Sequence, residues 1–407
     1  ADTTPDVVIN VAEAGTIAIG GTSGCDSSET AVASGANTIT LDSNGAGGSM
    51  TDGAYTCTVT FTDSAGNAAS ALTLTAFTVD TAVAAATQTT AVTTPTADTT
   101  PDVVINVAEA GTIAVGGTSG CGLSSTSAMT SGANTVTLTA SSTDKAYSCT
   151  VTFTDSAGNA ASALALTAFT LDTTANAATQ TTAVTTPDND ATPDVVINVD
   201  EAGTIAVGGT SGCDSSETAV TSGDNTITLD KDGAGANMDD GSYTCTITFT
   251  DSAGNAASAL TLTAFTVDAT QPTRSESTVV STPGKDQTPD IGITVSEAVT
   301  AVYGGDCDSQ ESSLSSGANT ITLEDDAGSY GNLAAGTYSD CTITITDLAG
   351  NTAAAGALTF TQFIIDLSVA AATETTAVST PDNDPTPDVV INVAEAGTIA
   401  VGGTSGC

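Results

Sequence analysis

The sequence contains no histidine and no tryptophan, and only 3% of its residues are aromatic. Without an imidazole there is no Ser-His-Asp triad, no histidine general base and no histidine-bound zinc. Basic residues are also scarce, because the 407 residues include only Lys145, Lys231, Arg274 and Lys285. Four scattered cations cannot clamp a phosphate group or neutralise a nucleic-acid backbone. These absences argue against nucleic-acid binding and most enzyme classes, and we expect no enzymatic activity.

Acidic residues, in contrast, are abundant. The chain contains 47 Asp and Glu residues and carries a formal net charge of −43. Because 40% of the residues are hydrophobic, the composition is nevertheless that of a folded chain and not of a disordered one. No run of about 18 apolar residues is present, so we predict no membrane-spanning helix in this segment.

A long internal repeat organises the chain. The string T-P-D-V-V-I-N-V, or a close variant of it, recurs at intervals of 92 to 98 residues. Its prolines are Pro5, Pro101, Pro193, Pro289 and Pro387. A period of this length is that of a whole small domain and not of a solenoid unit.

Strict alternation of side chains predicts β-strands in every copy. In residues 55–61 (Y-T-C-T-V-T-F) large side chains alternate with threonines, which gives one buried face and one solvent-exposed face. Further strands are predicted at residues 7–11, 16–19, 38–41 and 72–79, with a β-bulge at Ala76 and Phe77 where the alternation slips. Helical periodicity is absent, so we predict an all-β fold.

One motif indicates the kind of β domain. The pattern G-x-Y-x-C-x-[VI]-x-[FI]-T-D-x-A-G-N, followed by L-x-L-x-x-F-x-[VIL]-D, spans residues 53–80 and 241–268. The copies thereby resemble bacterial immunoglobulin-like domains of the Big type, which occur in arrays in large surface proteins and adhesins. The second copy departs from the pattern at Lys145, and the fourth inserts a residue at Ser339 and Asp340. The resemblance implies tandem immunoglobulin-like β-sandwiches arranged end to end, with a tyrosine corner at Tyr55 and its counterparts.

The same resemblance places each domain start just after the terminal V-D of the motif, with a weak first strand such as residues 82–92. The predicted domains are repeat 1 (1–80, without its first strand), repeat 2 (81–172), repeat 3 (173–268), repeat 4 (269–366) and a partial repeat 5 (367–407, the first three strands). We expect the chain to be a segment of a longer array. A first strand supplied to repeat 1 by another chain is the alternative.

Two cysteines per repeat suggest one disulfide inside each domain. If residues 16–21 and 55–62 are the neighbouring strands C and F, the end of C meets the start of F and both cysteines lie at one pole. The expected pairs are Cys25–Cys57, Cys121–Cys149, Cys213–Cys245 and Cys307–Cys341, with Cys407 left without its partner. Oxidised pairs imply an extracellular or cell-surface location. Buried free thiols and a zinc-thiolate site are the alternatives.

The carboxylates concentrate in turns, and the sandwich topology brings some of them together where domains meet. Three carboxylates and one amide oxygen are expected at each junction, and these are the hard oxygen ligands that Ca²⁺ prefers. The three predicted sets are Asp80, Glu109, Asp155 and Asn159; Asp172, Glu201, Asp251 and Asn255; and Asp268, Glu297, Asp347 and Asn351. Asp98, Asp188 and Asp190 are candidates for additional ligands. Turn capping by the aspartates and solubility of an acidic surface are the competing interpretation.

These patterns favour a structural role: the shaft of a cell-surface fibre, filament or stalk, whose partners are neighbouring repeats or identical chains. One alternative is an adhesin that binds a host or matrix glycan, or a protein, through the loops that vary between copies, at residues 42–50, 230–240 and 324–331. Another is a component of a surface layer or sheath.

Overall fold

The computed structural model describes residues 2–118, 120–325 and 330–404. Over these residues the secondary structure consists of short strands, turns and bends, without any helix. Accordingly, the described chain has no helix that is long and apolar enough to cross a membrane. The predicted all-β fold class is confirmed, and the strands form several small antiparallel sheets.

The strands of repeats 1 to 4 follow the same order, except that repeat 1 begins at the counterpart of the second strand of the others. Repeat 1 contains β1 Asp6–Val11, β2 Gly15–Gly21, β3 Ala31–Val32, β4 Gly35–Thr40, β5 Gly53–Tyr55, β6 Cys57–Asp63, β7 Leu72–Thr73 and β8 Phe77–Val79. Repeat 2 contains β9 Thr87–Thr90, β10 Asp102–Val107, β11 Gly111–Gly117, β12 Gly122–Leu123, β13 Ala128–Met129, β14 Gly132–Thr139, β15 Lys145–Tyr147, β16 Cys149–Asp155, β17 Leu164–Ala165 and β18 Phe169–Leu171.

The second half of the chain repeats this order. Repeat 3 contains β19 Thr179–Thr182, β20 Asp194–Val199, β21 Gly203–Gly209, β22 Ala219–Val220, β23 Gly223–Thr228, β24 Gly241–Tyr243, β25 Cys245–Asp251, β26 Leu260–Thr261 and β27 Phe265–Val267. Repeat 4 contains β28 Arg274–Thr278, β29 Asp290–Val295, β30 Val299–Gly304, β31 Ser313–Leu314, β32 Gly317–Thr322, β33 Gly336–Tyr338, β34 Thr342–Asp347, β35 Leu358–Thr359 and β36 Phe363–Ile365. Repeat 5 contains β37 Thr373–Thr376 and β38 Val390–Asn392.

Two sheets and a two-stranded ribbon make up each of repeats 2 to 4. In repeat 2 one sheet has the order β12-β14-β10-β9 and the other the order β13-β11-β16-β17, while β15 pairs with β18. Repeats 3 and 4 keep this arrangement without a counterpart of β12. The hydrophobic core of each repeat contains residues from both sheets, such as Ile105 of β10 and Val151 of β16. The residues of each of the four cores come from a single repeat.

The strand β16 shows how the sequence specifies this layering. Cys149, Val151 and Phe153 are buried, whereas the threonines between them are only half-buried. The period of two puts the first set on the core face and the second on the outer face. β16 pairs with β11 from Gly111 opposite Asp155 to Gly117 opposite Cys149. The predicted pairing of these two strands, with the end of one meeting the start of the other, is therefore confirmed.

The structure differs from the prediction where the last two long strands were expected. The strand expected over residues 55–61 is divided into β5 and β6 at Thr56. The expected bulge at Ala76 and Phe77 is wrong, because the strand stops after β7 and resumes as β8. The reason is a change of partner: β7 pairs with β6, whereas β8 pairs with β5. Between them the Leu74 amide donates to the Cys57 carbonyl at 2.9 Å.

Repeat 5 also differs from the prediction of three strands. Its first two strands are β37 and β38, but residues 393–404 contain no strand. In repeats 1 to 4 the strand at this position pairs with the strand that begins at, or directly after, the second cysteine of the repeat, as β2 pairs with β6 and β30 with β34. The described part of repeat 5 contains no such partner strand for residues 393–404. Cys407 lies outside the described residues.

Each of the four expected disulfides is present. The Cα–Cα distances are 5.7 Å for Cys25–Cys57, 5.8 Å for Cys121–Cys149, 5.7 Å for Cys213–Cys245 and 5.2 Å for Cys307–Cys341. The strand pairing places them, because Gly21 is opposite Cys57 and the chain then turns back to reach Cys25. Gly21 has a φ of +110°, and a Cβ at this position would lie 2.3 Å from the Thr56 carbonyl oxygen. A residue with a side chain would block this turn.

The tyrosine that precedes the second cysteine of each repeat forms a hydrogen bond to the loop just before it. The Tyr243 hydroxyl donates to the Asp239 carbonyl at 2.7 Å, and the Tyr55 and Tyr338 hydroxyls reach the carbonyls of Thr51 and Ala334 in the same way. Each ring also stacks on the phenylalanine of the partner strand, with centroids 5.1 to 5.7 Å apart. This geometry satisfies a buried hydroxyl and fixes the loop before the ribbon.

Candidate metal sites at the junctions

Three chain segments meet where one repeat follows another. At the first junction Asp80 directly follows β8 of repeat 1, Glu109 lies in the loop between β10 and β11, and Asp155 ends β16. The two loops lie at the same end of repeat 2 because β11 and β16 are antiparallel neighbours. The chain that leaves repeat 1 passes this end, and its last aspartate completes the set.

The structure brings together the three carboxylates that the sequence predicted at each of the three junctions between repeats 1 to 4. One oxygen from each of Asp80, Glu109 and Asp155 lies within 4.8 Å of the others. The same holds for Asp172, Glu201 and Asp251, and for Asp268, Glu297 and Asp347. The aspartate that ends the strand is buried in each set, at 4 to 5% exposure, and the other two side chains are half-buried. We call these sets junction triads 1, 2 and 3.

The buried aspartate is held rigidly by its own turn. Asp155 Oδ1 accepts hydrogen bonds from the backbone N–H groups of Ala157 at 2.9 Å and Asn159 at 2.8 Å. Burial by itself raises the pKa of Asp155, but the hydrogen bonds from Asn159, Ala157 and Gly158 outweigh it and hold the pKa below its ordinary value. Asp155 is therefore ionised at neutral pH and contributes a fixed negative charge to junction triad 1.

In junction triads 2 and 3, burial and the neighbouring carboxylates raise the pKa of three half-buried members, Glu201, Asp268 and Glu297. The pKa of Glu201 is raised, first by burial and then by the charges of Asp172, Asp251 and Asp200. Glu297 shows the same shift, with burial followed by the charges of Asp268 and Asp347. Burial and the charge of Asp347 likewise raise the pKa of Asp268. Burial is the largest cause of each shift and the neighbouring negative charges add to it, and a cation bound among these carboxylates would offset that repulsion.

The asparagines contribute differently from the prediction. Their amide oxygens were expected as ligands, but the amide nitrogen is the atom that faces the junction. Asn159 Nδ2 donates to the Asp80 carbonyl at 3.0 Å and to Asp155 Oδ2 at 2.7 Å. Both partners are acceptors, so the nitrogen must face them. Asn255 and Asn351 make the same bonds to the carbonyls of Asp172 and Asp268, at 2.8 and 2.6 Å. These side chains therefore position the triad and join adjacent repeats.

Because of this bond, an asparagine variant should loosen a junction. Asn255→Ala removes the bonds to Asp251 and to the Asp172 carbonyl. The matched control is Asn67→Ala in repeat 1, where the only acceptor of Asn67 Nδ2 among the described residues is Asp63 Oδ2. We expect Asn255→Ala to lower the local opening free energy by about 1 kcal/mol more than the control, the net value of one hydrogen bond. Hydrogen–deuterium exchange of the two turns measures this difference, and equal effects would contradict it.

A further aspartate near each junction was not singled out from the sequence. Asp144 accepts hydrogen bonds from Thr173 N at 3.0 Å and Thr173 Oγ1 at 2.8 Å, and thus fastens the start of the next repeat. Asp52 and Asp240 occupy the same place and bind Thr81 and Ala269. The charge of Asp240 also contributes to the raised pKa of Asp268. The sequence signal is an aspartate three residues before the tyrosine in three copies, replaced in the fourth by Ala335.

The suggested extra ligands serve local turns instead. Asp98 Oδ1 accepts the Thr100 amide at 2.7 Å, Asp190 Oδ1 accepts the Thr192 amide at 2.8 Å, and Asp188 Oδ1 accepts the Asp190 amide at 3.0 Å. For these three residues the turn-capping interpretation is the one that the hydrogen bonds support. They are not members of the junction triads found among the described residues.

In the variable loops at residues 42–50 and 230–240, a buried aspartate accepts hydrogen bonds from backbone amides of the same loop. Asp42 is 1% exposed, and its carboxylate accepts the amides of Asn44, Gly45 and Gly47. In repeat 3 Asp230 takes this place, and Lys231 forms an ion pair with Asp239 at 2.5 Å. Part of the third loop, residues 326–329, lies outside the described residues. The carboxylate of Asp42 is thus satisfied from within its own loop.

Comparison with known proteins gives no family assignment. No protein-family model matches the chain, and no curated protein matches it. Among solved structures it is similar to a protein from Corynebacterium diphtheriae described as membrane anchored, with 10% identity, 72% of this chain and 91% of that one covered, and a TM-score of 0.17. A mixed-linkage glucan utilization protein of Bacteroides ovatus, SGBP-B, gives 14% identity, coverage of 84% and 93%, and a TM-score of 0.15.

The third comparison is with an α-L-rhamnosidase from Streptomyces avermitilis. The identity is 11%, 69% of this chain is covered, and the TM-score is 0.17. The match spans only 40% of the rhamnosidase. With TM-scores this low, none of the three structures carries an argument about the function of this chain.

Proposed function

We propose that this protein is a structural, extracellular component of a cell surface: the shaft of a fibre or stalk, built from immunoglobulin-like β-sandwich domains arranged end to end and joined through calcium sites. The domains are repeats 1 to 4, with boundaries at residues 80, 172 and 268, followed by repeat 5. The separate hydrophobic core of each repeat supports this division.

The disulfides support the location. Four bonds of the same kind occur at equivalent positions, one in each complete repeat. Disulfides form and persist in oxidising environments outside the cytosol and are rare inside it. The acidic surface fits the same setting, since a high net charge keeps a long extracellular chain soluble.

The observation that carries the proposal is the repetition of one geometry at three junctions. Each junction presents three carboxylates from two successive repeats, within 4.8 Å of one another. Four basic residues in the whole chain cannot neutralise three such triads. Ca²⁺ accepts six to eight oxygen ligands in flexible geometry, so three carboxylates and water molecules meet its needs. An ion shared between two repeats would fix their relative orientation, which is what a shaft requires.

A passive shaft agrees better with the loops than a catalytic or adhesive role. The loop at residues 42–48 directs its backbone amides onto its own Asp42, and its counterpart in repeat 3 does the same with Asp230. Groups that satisfy each other in this way are not available to a ligand. The nearly identical copies give a regular spacing of 92 to 98 residues.

Small-angle X-ray scattering of the chain, with calcium and then with EDTA, tests the shaft. We expect an extended and narrow distribution of interatomic distances in calcium, because three bridged junctions hold successive repeats in line. After chelation the three carboxylates of each triad repel one another across the junction. The distribution of interatomic distances should then become broader, as is typical of a flexible chain of domains. Superimposable profiles in the two conditions would contradict a calcium-stiffened shaft.

A further inference from the structure

Strand β28 of repeat 4 carries an arginine at a position that is alanine in repeats 2 and 3. The strand register places Glu276 opposite its partner strand as it places Gln88 in repeat 2, so Arg274, two positions earlier, corresponds to Ala86. The counterpart in repeat 3 is Ala178. Both alanines are buried in the cores of their repeats, at 5% and 4% exposure. Repeat 4 therefore has a cation where two other repeats have a buried methyl group.

A longer loop accompanies the arginine. Ala353 of repeat 4 corresponds to Ala257 of repeat 3, because each donates its amide to the equivalent carbonyl of the preceding strand, at 3.2 and 2.9 Å. After this alanine repeat 4 has residues 354–357 before β35, whereas repeat 3 has only Ser258 and Ala259 before β26. The loop of repeat 4 is thus two residues longer.

The guanidinium of Arg274 has no anionic partner in the described part of the chain. Its Nη2 donates to the carbonyl of Gly356 in the longer loop, and its Nε is buried without an acceptor. Glu276, on the same face of β28, instead accepts the Thr361 amide at 3.0 Å. Burial lowers the pKa of Arg274. A guanidinium offers five N–H donors in a planar fork that matches a carboxylate, so this one has donors left for an added anion.

A cavity of about 490 Å³ lies beside Arg274, between the start of β28 and the longer loop. Its lining includes the side chains of Pro272, Ala354, Ala355 and Leu358. Although the chain has 47 acidic residues, no described aspartate or glutamate lines this cavity. One cation beside an apolar wall is the arrangement that suits a ligand with a negative head and an aliphatic body, and the volume is in the range of small-ligand pockets.

We infer that this cavity binds a small aliphatic carboxylate, which accepts hydrogen bonds from the Arg274 guanidinium and lays its alkyl chain on the alanine-lined wall. Guanidinium–carboxylate hydrogen bonds are charge-assisted and stronger than neutral ones. The absence of carboxylates from the described lining removes the local repulsion that an anion meets elsewhere on this surface. None of the residues of the junction triads lines the cavity, so the site is independent of the calcium proposal.

Saturation-transfer NMR of the whole chain with butyrate tests the site, in a buffer without calcium and without a chelator. Butyramide, which has nearly the same shape and no charge, is the ligand control. We expect the wild-type chain to bind butyrate at least tenfold more tightly than butyramide, because the charge-assisted bond is lost in the amide. Light scattering of the same samples should show no association of the chain.

The variants assign the binding to Arg274. Arg274→Ala restores the residue that repeats 2 and 3 have at this position, so circular dichroism should match the wild type while the affinity for butyrate falls at least tenfold. Arg274→Lys keeps the charge and should retain part of the affinity. The matched control is Lys285→Ala, which removes the other cation of repeat 4, outside the cavity lining, and should bind butyrate like the wild type.

Several results would overturn the inference. A wild-type chain that does not bind butyrate, or that binds butyramide equally well, shows that no carboxylate is recognised. An equal loss in Arg274→Ala and Lys285→Ala shows a general effect of charge and not a site. Association of the wild-type chain that Arg274→Ala abolishes would assign the cavity to an acidic side chain of a second copy, and would contradict a small ligand.

Discussion

Replacing both cysteines of repeat 3, in the variant Cys213→Ala with Cys245→Ala, should lower the free energy of unfolding of that repeat by about 3 kcal/mol. The bond joins residues 32 positions apart, so its loss releases a long loop in the unfolded chain. Small domains depend strongly on such links, because a core of this size provides only a few kcal/mol of net stability. This is the largest effect that we expect from a change within a single repeat.

Hydrogen–deuterium exchange followed by mass spectrometry measures the effect repeat by repeat. Peptides from the strands of repeat 3 should exchange much faster in the variant. Peptides from repeats 2 and 4, whose disulfides are intact, are the internal control and should keep most of their protection away from the junctions. Unchanged exchange in repeat 3 would show that the disulfide contributes little to stability and would contradict the expectation.

Calcium should raise the thermal unfolding midpoint of the chain. At a free concentration about a hundred times the Kd, each occupied site stabilises the folded state by about 2.7 kcal/mol. The gain should be confined to repeats that share a junction triad. Differential scanning calorimetry with calcium and with EDTA measures it, and identical traces would contradict it.

The dependence on pH should change sign with the metal. In EDTA the raised pKa values of Glu201, Asp268 and Glu297 mean that the folded chain takes up protons more readily than the unfolded chain. Their contribution to stability is therefore lost as pH rises through these raised values and regained as pH falls toward the ordinary glutamate value of 4.5. Acidification from neutral pH should thus raise the midpoint.

With calcium bound, the same acidification should lower the midpoint, because the ligands must be ionised and protons compete with the ion. The lowered pKa of Asp155 acts in the opposite direction to the raised values, but its contribution is lost only as pH falls below the ordinary aspartate value of 3.8. It therefore does not mask the change of sign. The same slope with calcium and with EDTA would contradict a metal at the junctions.

The alternation of large and small side chains predicts the positions of the main strands from the sequence. Residues 55–61 and 16–19 predict two neighbouring strands, and their antiparallel pairing places Gly21 opposite Cys57 and Gly15 opposite Asp63. The disulfide at one end of the pair and the acidic turn at the other follow directly. The pairing of these two strands is what the immunoglobulin-like resemblance implies, and the meeting of the carboxylates needs in addition the end-to-end order of domains that the same resemblance implies, because one aspartate of each triad comes from the preceding repeat.

The remaining features depend on contacts between segments that are distant in sequence. β7 and β8 separate because each has a different partner, which alternation within residues 72–79 does not reveal. The amide nitrogen of Asn159 faces the junction because the Asp80 carbonyl comes from the preceding repeat, 79 positions away. Asp144 fastens a threonine 29 positions ahead and has no local signature beyond its place before the tyrosine.

A calcium titration of the whole chain tests the central claim most directly, with the number of bound ions measured by isothermal titration calorimetry. The three junction triads predict three ions per chain. Glu201→Gln should reduce the number to two. Its matched control, Glu13→Gln, changes the same loop position in repeat 1, which belongs to none of the triads among the described residues, and should leave it at three. An absence of binding, or an equal loss in both variants, would contradict calcium at the junctions.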